Sequence, residues 1–180
     1  MAGNPGNVSK RLFAEADVLI YPNAVLASAD VPSAVTDPFV TTTGKWEFVG
    51  LLVGDAGIGS SRQWDSQKIP AWGYGTIIVA DKDFSHSTTV SALEDNPTVQ
   101  KILWNGSTDT SVVVPRALYS FFAIEKRTAA GGVNRLISTM PGRFWCENVN
   151  DSEGNATPRE ITVDVFPNSA KELYKSQKSA

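Results

Sequence analysis

Apolar and polar positions along the chain alternate in short bursts, and these bursts predict strands over most of its length. A first strand covers 17–21 and is stopped by Pro22 and Asn23. A second covers 45–53, with Trp46, Phe48 and Leu52 on one face and Val49, Leu51 and Val53 on the other, so both faces are expected to be covered. Strands at 75–83 and 84–93 follow. The second of these has the cleanest period of two, with Ser85, Ser87, Thr89 and Ser91 on one face and Phe84, His86, Thr88, Val90 and Ala92 on the other. Later strands at 118–127, 133–140, 143–149 and 159–166 are joined by Gly131-Gly132, Pro141-Gly142 and a loop over 150–158. Strand 118–127 carries Tyr119, Phe121 and Ala123 on one side and Leu118, Phe122 and Ile124 on the other, which predicts cover on both faces, one of them from a neighbouring subunit. Short strands punctuated by turns give a mainly β fold, an antiparallel sandwich or barrel of two sheets.

One short flanking helix interrupts the strands. Asn96 is an N-cap, Pro97 suits the first helical position, and Val99, Ile102 and Leu103 form an apolar stripe before Asn105-Gly106 ends it. A weaker helix is expected from the capping box Ser169-x-x-Glu172. The chain reads as one domain over 1–180, with an N-terminal arm at 1–16 that orders against a neighbour, a loop-like Pro-rich stretch at 22–44 and a C-terminal tail at 167–180 that finds its burial in a neighbour. Residues 54–72 show no periodicity, and a structureless loop of that length is uncommon in a compact domain unless it has a function. This one carries Ile58, Trp64, Ile69 and Trp72, apolar groups that need another surface, so it is expected to dock.

Charge and composition then narrow the possible functions. Sixteen Lys and Arg against nineteen Asp and Glu leave a net charge of −3, which offers no basic footprint for gripping phosphates. The longest apolar runs fall far short of a bilayer span, and the N-terminal stretch has no signal-peptide core, so neither a membrane nor secretion is expected. A single cysteine, Cys146, forbids an intrachain disulfide. With His86, the lone histidine, it makes the only conceivable thiol–imidazole pair, for which a strand histidine and a core cysteine are the plainer reading. The Gly54–Gly59 segment reads G-x-x-G-x-G with no helix after it, and Gly44-Lys45 lacks the rest of a Walker loop, so no phosphate cradle is expected. Asp81 and Asp83 share a strand face as a solvated pair, and Glu94-Asp95 suit the positive end of the helix dipole. No cofactor, metal or catalytic residue is expected. The small hydroxyl row Ser85, Ser87, Thr89 and Ser91 fits either an outward sheet face or the wall of a water-filled passage.

A resemblance joins these pieces. The run from Trp46 through Gly50 to Gly54-Asp55-x-Gly57-Ile58, then Ile69-x-Ala71-Trp72-Gly73, then Ala92-Leu93-Glu94-Asp95-Asn96 ahead of a short helix, resembles the major tail tube protein of long-tailed, siphovirus-type bacteriophages of actinobacteria. These motifs span 46–106, and the rest agrees in length and strand-rich character. The resemblance implies a β-sandwich with a flanking helix, a structural virion protein and no enzyme. Its homohexameric rings would stack into a tail tube for genome delivery, with the long loop after the second strand touching the next ring. On this chain it makes Asp55, Ile58, Trp64, Ile69 and Trp72 inter-ring candidates and Ser85, Ser87, Thr89 and Ser91 channel-lining candidates. The implied partners are further copies of the chain, a tape-measure protein and tail terminator and tip proteins; DNA passes without specific binding, and the protein is made in the host cytoplasm and ends in the virion tail. The alternative reading from another class is a small-ligand-binding β-barrel with a cavity inside one subunit, and a third is a hydrolase using acidic residues.

Overall fold

The computed structural model describes residues 12–179 of the protein. Nine strands and one α-helix lie among them: β1 (Phe13–Tyr21), β2 (Glu47–Phe48), β3 (Ile58–Ala71), β4 (Gly75–Ala92), α1 (Pro97–Leu103), β5 (Leu118–Thr128), β6 (Val133–Ser138), β7 (Gly142–Cys146), β8 (Arg159–Val165) and β9 (Tyr174–Lys178). Their pairings are antiparallel, giving the mainly β fold with one helix that the sequence predicts. One sheet runs β2-β1-β5-β6-β9 and the other β5-β7-β8-β4-β3, with β5 shared. The start of β5, at 118–120, pairs with β7, and its later residues 123–127 pair with β6.

The far side is closed by the segment that follows β2. Glu47 and Phe48 pair with β1, but past Gly50 the chain turns onto the end of β4. There Leu93 N–H donates to Leu51 O at 2.8 Å, Val53 N–H donates to Ser91 O at 2.9 Å, and Leu52 bridges Ala92. Of the strand predicted at 45–53, only two residues are β2; the rest is this crossing, which joins the two sheets into a barrel. Gly50 makes the corner possible. Its φ is 94°, and a Cβ there would come within 2.5–2.7 Å of the Glu94 carboxylate and the Asn96 amide. Those two side chains hold the corner: Leu51 N–H donates to Glu94 Oε1 at 2.9 Å, and Asn96 Nδ2 donates to Val49 O at 2.9 Å. Asn96 Oδ1 also accepts from Val99 N–H at 2.9 Å, so the predicted N-cap ties the start of α1 to the barrel seam. Glu94 thus serves the seam rather than the helix dipole.

Alternation sorts the rest. Val18 and Ile20 of β1, Val90 and Ala92 of β4, Phe122 and Ile124 of β5, and Ile161 and Val163 of β8 point into the barrel with the stripe of α1. Leu19, Tyr21, Ala123 and Ile137 point outward and form a second core with Trp46. Its cover is the Pro-rich stretch 22–44, so Phe121 and Ala123 on the second face of β5 are covered by this chain's own strap, while Tyr119 on that face stays exposed. Asp30 pins the strap. Its Oδ2 accepts from the Tyr21 hydroxyl at 2.5 Å and pairs with Lys45 Nζ at 2.6 Å, while its backbone carbonyl accepts from Trp46 Nε1 at 2.8 Å. Phe39 packs edge-on to Trp46 at 4.9 Å under the Arg135 guanidinium, which sits 4.5 Å from the Phe39 ring.

Three more expectations change. The predicted strands 75–83 and 84–93 are one strand, β4. The N-terminal arm at 1–16 overlaps β1, whose Phe13 already pairs with Thr128 of β5; the remainder of the arm lies outside the described residues. The tail at 167–180 does not form a helix. Asn168 Oδ1 accepts from the N–H groups of Ala170 at 3.0 Å and Glu172 at 2.8 Å, and Lys171 takes a positive φ of 62°, a tight turn that sends Tyr174–Lys178 back along β6 as β9. The local capping signal loses to a strand ladder inside the same chain.

Replacing Gly50 by Ala is expected to destabilise the barrel by at least about 1–2 kcal/mol, the left-handed penalty for an L-residue, measured by urea unfolding. Asp30→Ala should release the strap, read as new protease cleavage within 22–44 while the barrel stays intact. In the native protein the hydrogen bond from Lys45, and then that from Tyr21, hold the Asp30 carboxyl below its usual 3.8. The pin therefore contributes fully above that range and is lost as pH falls through the lowered value, so acid should reproduce the cleavage pattern of the variant.

Candidate assembly surface

Strand β4 is longer than the barrel. Its pairing with β8 covers 86–92, and residues 75–85 pair with β3 alone. The result is a two-stranded arm extending about 35 Å from the body at ~3.3 Å per residue. Residues 54–72, expected as a loop, are a short turn followed by β3, one side of this arm. The tip closes between Ala71 and Gly75, with Tyr74 N–H donating to Ala71 O at 3.1 Å and with Gly73 and Gly75 at φ 80° and 75°.

Two irregularities shape the arm. Gln63 pairs with Ser85 and Asp65 with Lys82, so Asp83 and Phe84 stand opposite Trp64 alone. Asp83 takes a φ of 51°, and the Trp64 and Phe84 rings meet at 4.8 Å. A bulge of this kind bends the ribbon and raises its twist, re-aiming everything beyond it. It also breaks the simple alternation that would have set Asp83 beside Asp81. Asp81 instead accepts from Ser66, and Asp65 pairs with Lys82 at 3.4 Å. Nearer the tip the register slips again, Ile69 pairing with Ile78 and Pro70 with Thr76.

The outer arm is exposed on both faces from 72 to 83. Ile69 and Ile78 share one face and Val79 lies on the other; Trp72 and Tyr74 stand open at the tip, at 103% and 86% exposure. An isolated two-stranded ribbon is marginal in water, and an apolar patch of this extent marks a contact surface. The far edge of β3 has no strand partner among the described residues. Pro70 and the charges Arg62, Asp65 and Lys68 guard it against indiscriminate pairing.

The structure divides the five docking residues among four places. Asp55 sits in the exposed turn before β3, and Ile58 is half-buried at the root against the barrel core; Trp64 lies at the bulge, and Ile69 and Trp72 lie near the tip. Tyr74, Ile77, Ile78 and Val79 belong to the same exposed arm; Ile77, Ile78 and Val79 were assigned to an ordinary strand at 75–83, and Tyr74 to no element. The signal for them was the Gly73-Tyr74-Gly75 turn, which makes 58–92 one hairpin.

Ser85, Ser87, Thr89 and Ser91 lie together on the face of β4 turned away from the barrel interior, since His86, Thr88, Val90 and Ala92 are buried. Register extends this row over three strands. Ser61 and Asp164 flank Ser87, and Gly59 and Thr162 flank Thr89. Asp164 accepts from Arg143 at 2.9 Å, its neighbour on β7. The face is therefore mainly small and hydroxylic, with Asp164 paired to Arg143 and the exposed Glu160 opposite Ser91 at its end. Cys146 and His86 do not meet as a reactive pair: the thiol donates to Asn148 O at 3.2 Å and burial raises its pKa, while both His86 ring nitrogens have other partners. Among the described residues no group of three or more His, Cys, Asp or Glu could hold a metal ion, and no helix is long and apolar enough to cross a membrane. Compared with protein-family models and with curated proteins, the chain matches none.

The left-handed residue at the bulge gives a direct test of the arm's construction. Asp83→Gly should leave arm pairing as strong or stronger, whereas Asp83→Val should weaken it by about 1–2 kcal/mol. Amide exchange should quicken in the arm for the valine variant alone, with the barrel strands unchanged.

Proposed function

We propose that this protein is a non-enzymatic structural subunit of a phage tail tube, assembling through its arm into hexameric rings that stack around a channel for DNA. The observation that carries this reading is a long arm, exposing apolar residues among charged ones on both faces, built onto a barrel whose own core is already complete. An arm of one copy seated on a different surface of the next is a heterologous contact, which either closes into a ring or continues as a tube. The face formed by Ser61, Ser87, Thr89 and Thr162 suits a wall along which DNA slides, because short hydroxyl groups and a net charge of −3 avoid the counterion release that would hold the duplex in place. The barrel interior is filled by Val90, Phe122, Phe144, Ile161 and Val163, which favours an assembly subunit over a carrier with a ligand cavity.

Negative-stain microscopy of concentrated protein should show six-fold rings or tubes; a persistent monomer at every concentration would overturn the proposal. The double variant Trp64→Ser, Ile69→Ser should keep the circular dichroism and unfolding midpoint of the barrel and abolish polymerisation. Unchanged polymers would remove the arm from the contact.

A further inference from the structure

At the root of the arm a row of rings runs unbroken from the barrel core to the bulge. Phe144 packs on Phe122 at 5.7 Å, Phe122 on Tyr174 at 5.8 Å, Tyr174 on His86 at 5.8 Å, His86 on Phe84 at 6.5 Å and Phe84 on Trp64 at 4.8 Å. His86 sits at the last position where β4 still pairs with β8, opposite Val165, and its side chain is buried. It bridges three strands. Nδ1 lies 2.9 Å from Ser61 O on β3, Nε2 lies 3.1 Å from the Tyr174 hydroxyl on β9, and that hydroxyl lies 3.3 Å from Thr88 Oγ1.

We infer that this cluster is an acid-sensitive clasp, fastening the root of the arm to the C-terminal strand while His86 is neutral and releasing both when His86 is protonated. The hydrogen-bond roles fix the neutral form. A carbonyl only accepts, so Nδ1 carries the proton and donates to Ser61 O; Nε2 then accepts from Tyr174 O–H, and the phenol oxygen accepts from Thr88. Every member is satisfied with no charge present. A second proton, on Nε2, turns that acceptor into a donor, so the Tyr174 hydroxyl must reverse and donate to Thr88 Oγ1, and it places a cation in a buried site.

Among the described residues no carboxylate pairs with His86 to compensate that charge. From β3 the charged neighbour is Arg62, its register partner, which repels it; from β9 the titratable neighbour is Tyr174; from β8 the nearest in sequence to Val165 is Asp164, which lies on the opposite face bound to Arg143. Phe122 and Phe84 supply only apolar rings. Burial, with a smaller contribution from Arg62, accordingly lowers the His86 pKa below the usual 6.5, against a smaller opposing effect of the Ser61 carbonyl. The unfolded or opened chain therefore binds the proton more readily than the closed one. The clasp is fully effective above about 6.5 and loses strength as pH falls through the lowered value. Because, among the described residues, the strand pairing that joins the outer arm to the barrel is β3–β4 pairing below the bulge, loosening its root changes how the arm is presented. Regulation of assembly by this route rests on the function proposed above; the clasp itself does not.

His86 is the only histidine in the chain, so its imidazole resonances need no assignment. An NMR titration of the wild-type monomer should show the Nδ1–H tautomer at neutral pH and a midpoint below that of a free histidine; the other tautomer, or a midpoint at or above the free value, overturns the clasp. Hydrogen exchange, corrected for intrinsic chemistry, should show β9 and the arm root at 58–63 losing protection together, severalfold, between pH 7.5 and pH 5, with β1 and β5 unchanged. His86→Gln, which can donate to Ser61 O and accept from Tyr174 without titrating, should remove that pH dependence, and Tyr174→Phe should loosen both segments already at pH 7.5. Retained protection in acid, or the same loss in His86→Gln, overturns the proposal. Microscopy of the same samples separates the two claims: paired loss of protection without polymers at any pH leaves the clasp standing and counts against the tube.

Discussion

One constraint governs this molecule: strand β4 is a single hydrogen-bonded strand that occupies two environments. From 86 to 92 it lies between β3 and β8, with alternate side chains buried in the barrel. From 75 to 85 only β3 accompanies it, and both faces meet solvent. A strand cannot leave a sheet for water without either losing its ladder or taking its neighbour along. Here the neighbour goes with it, and the arm follows. The bulge at Asp83 and Phe84 stands close to the boundary, where a ribbon freed from β8 can bend without breaking pairs that the barrel needs.

The same constraint explains what could be read in advance. Period-two alternation records the burial of one face and the exposure of the other. It was legible where that holds, above all in 84–92; β1 and β5, buried on both faces, were legible instead as apolar runs bounded by turn residues, and Asn96-Pro97 announced α1 through local chemistry alone. Over 58–71 neither face is buried, so no alternation was imposed and the stretch read as a loop, although its Gly-Tyr-Gly tip was present in the sequence. Around Gly50 the opposite difficulty arose. Apolar residues on both sides suggested one strand, whereas the chain changes partners at a corner that only glycine can make. The box at Ser169 shows a local signal overruled by a non-local one, since five register pairs with β6 outweigh a helix with little to bury. Of the candidate surface, the aromatic residues were visible as groups needing cover; their arrangement was not, because it depends on the register of two strands.

Charge is used sparingly and mostly within the chain. Glu125 and Arg135, both buried, pair at 2.5 Å across β5 and β6, and Arg127 ties Glu125 to Glu15 and Asp17 of β1. Such a pair contributes little net stability once its desolvation is counted, and its plainer value is in specifying which strands lie side by side. Arg135 then reaches out to Ala34 O and the Phe39 ring, so the strap is placed by the same network that fixes the register beneath it. With most of these carboxylates and guanidinium groups engaged in this way, the face carried by β4 and β8 is left with hydroxyls, the Asp164–Arg143 pair and the exposed carboxylate of Glu160 opposite Ser91.

Closing the barrel also decides where a second chain could join. The crossing at 51–53 removes the edge that β4 would otherwise present beyond Ile58, and β5 removes another by serving both sheets. Besides the outer part of β4, backbone left unpaired by other strands is thereby concentrated, among the described residues, at β3 and β9. These two strands are also the ones His86 joins, through Ser61 on one and Tyr174 on the other. On β3 the proline and alternating charges discourage pairing through the backbone alone, so any stable contact there must also satisfy the side chains of Trp64, Ile69 and Trp72. Blocking the backbone route while leaving the apolar groups exposed would make any association at the arm depend on shape and register rather than on edge pairing alone.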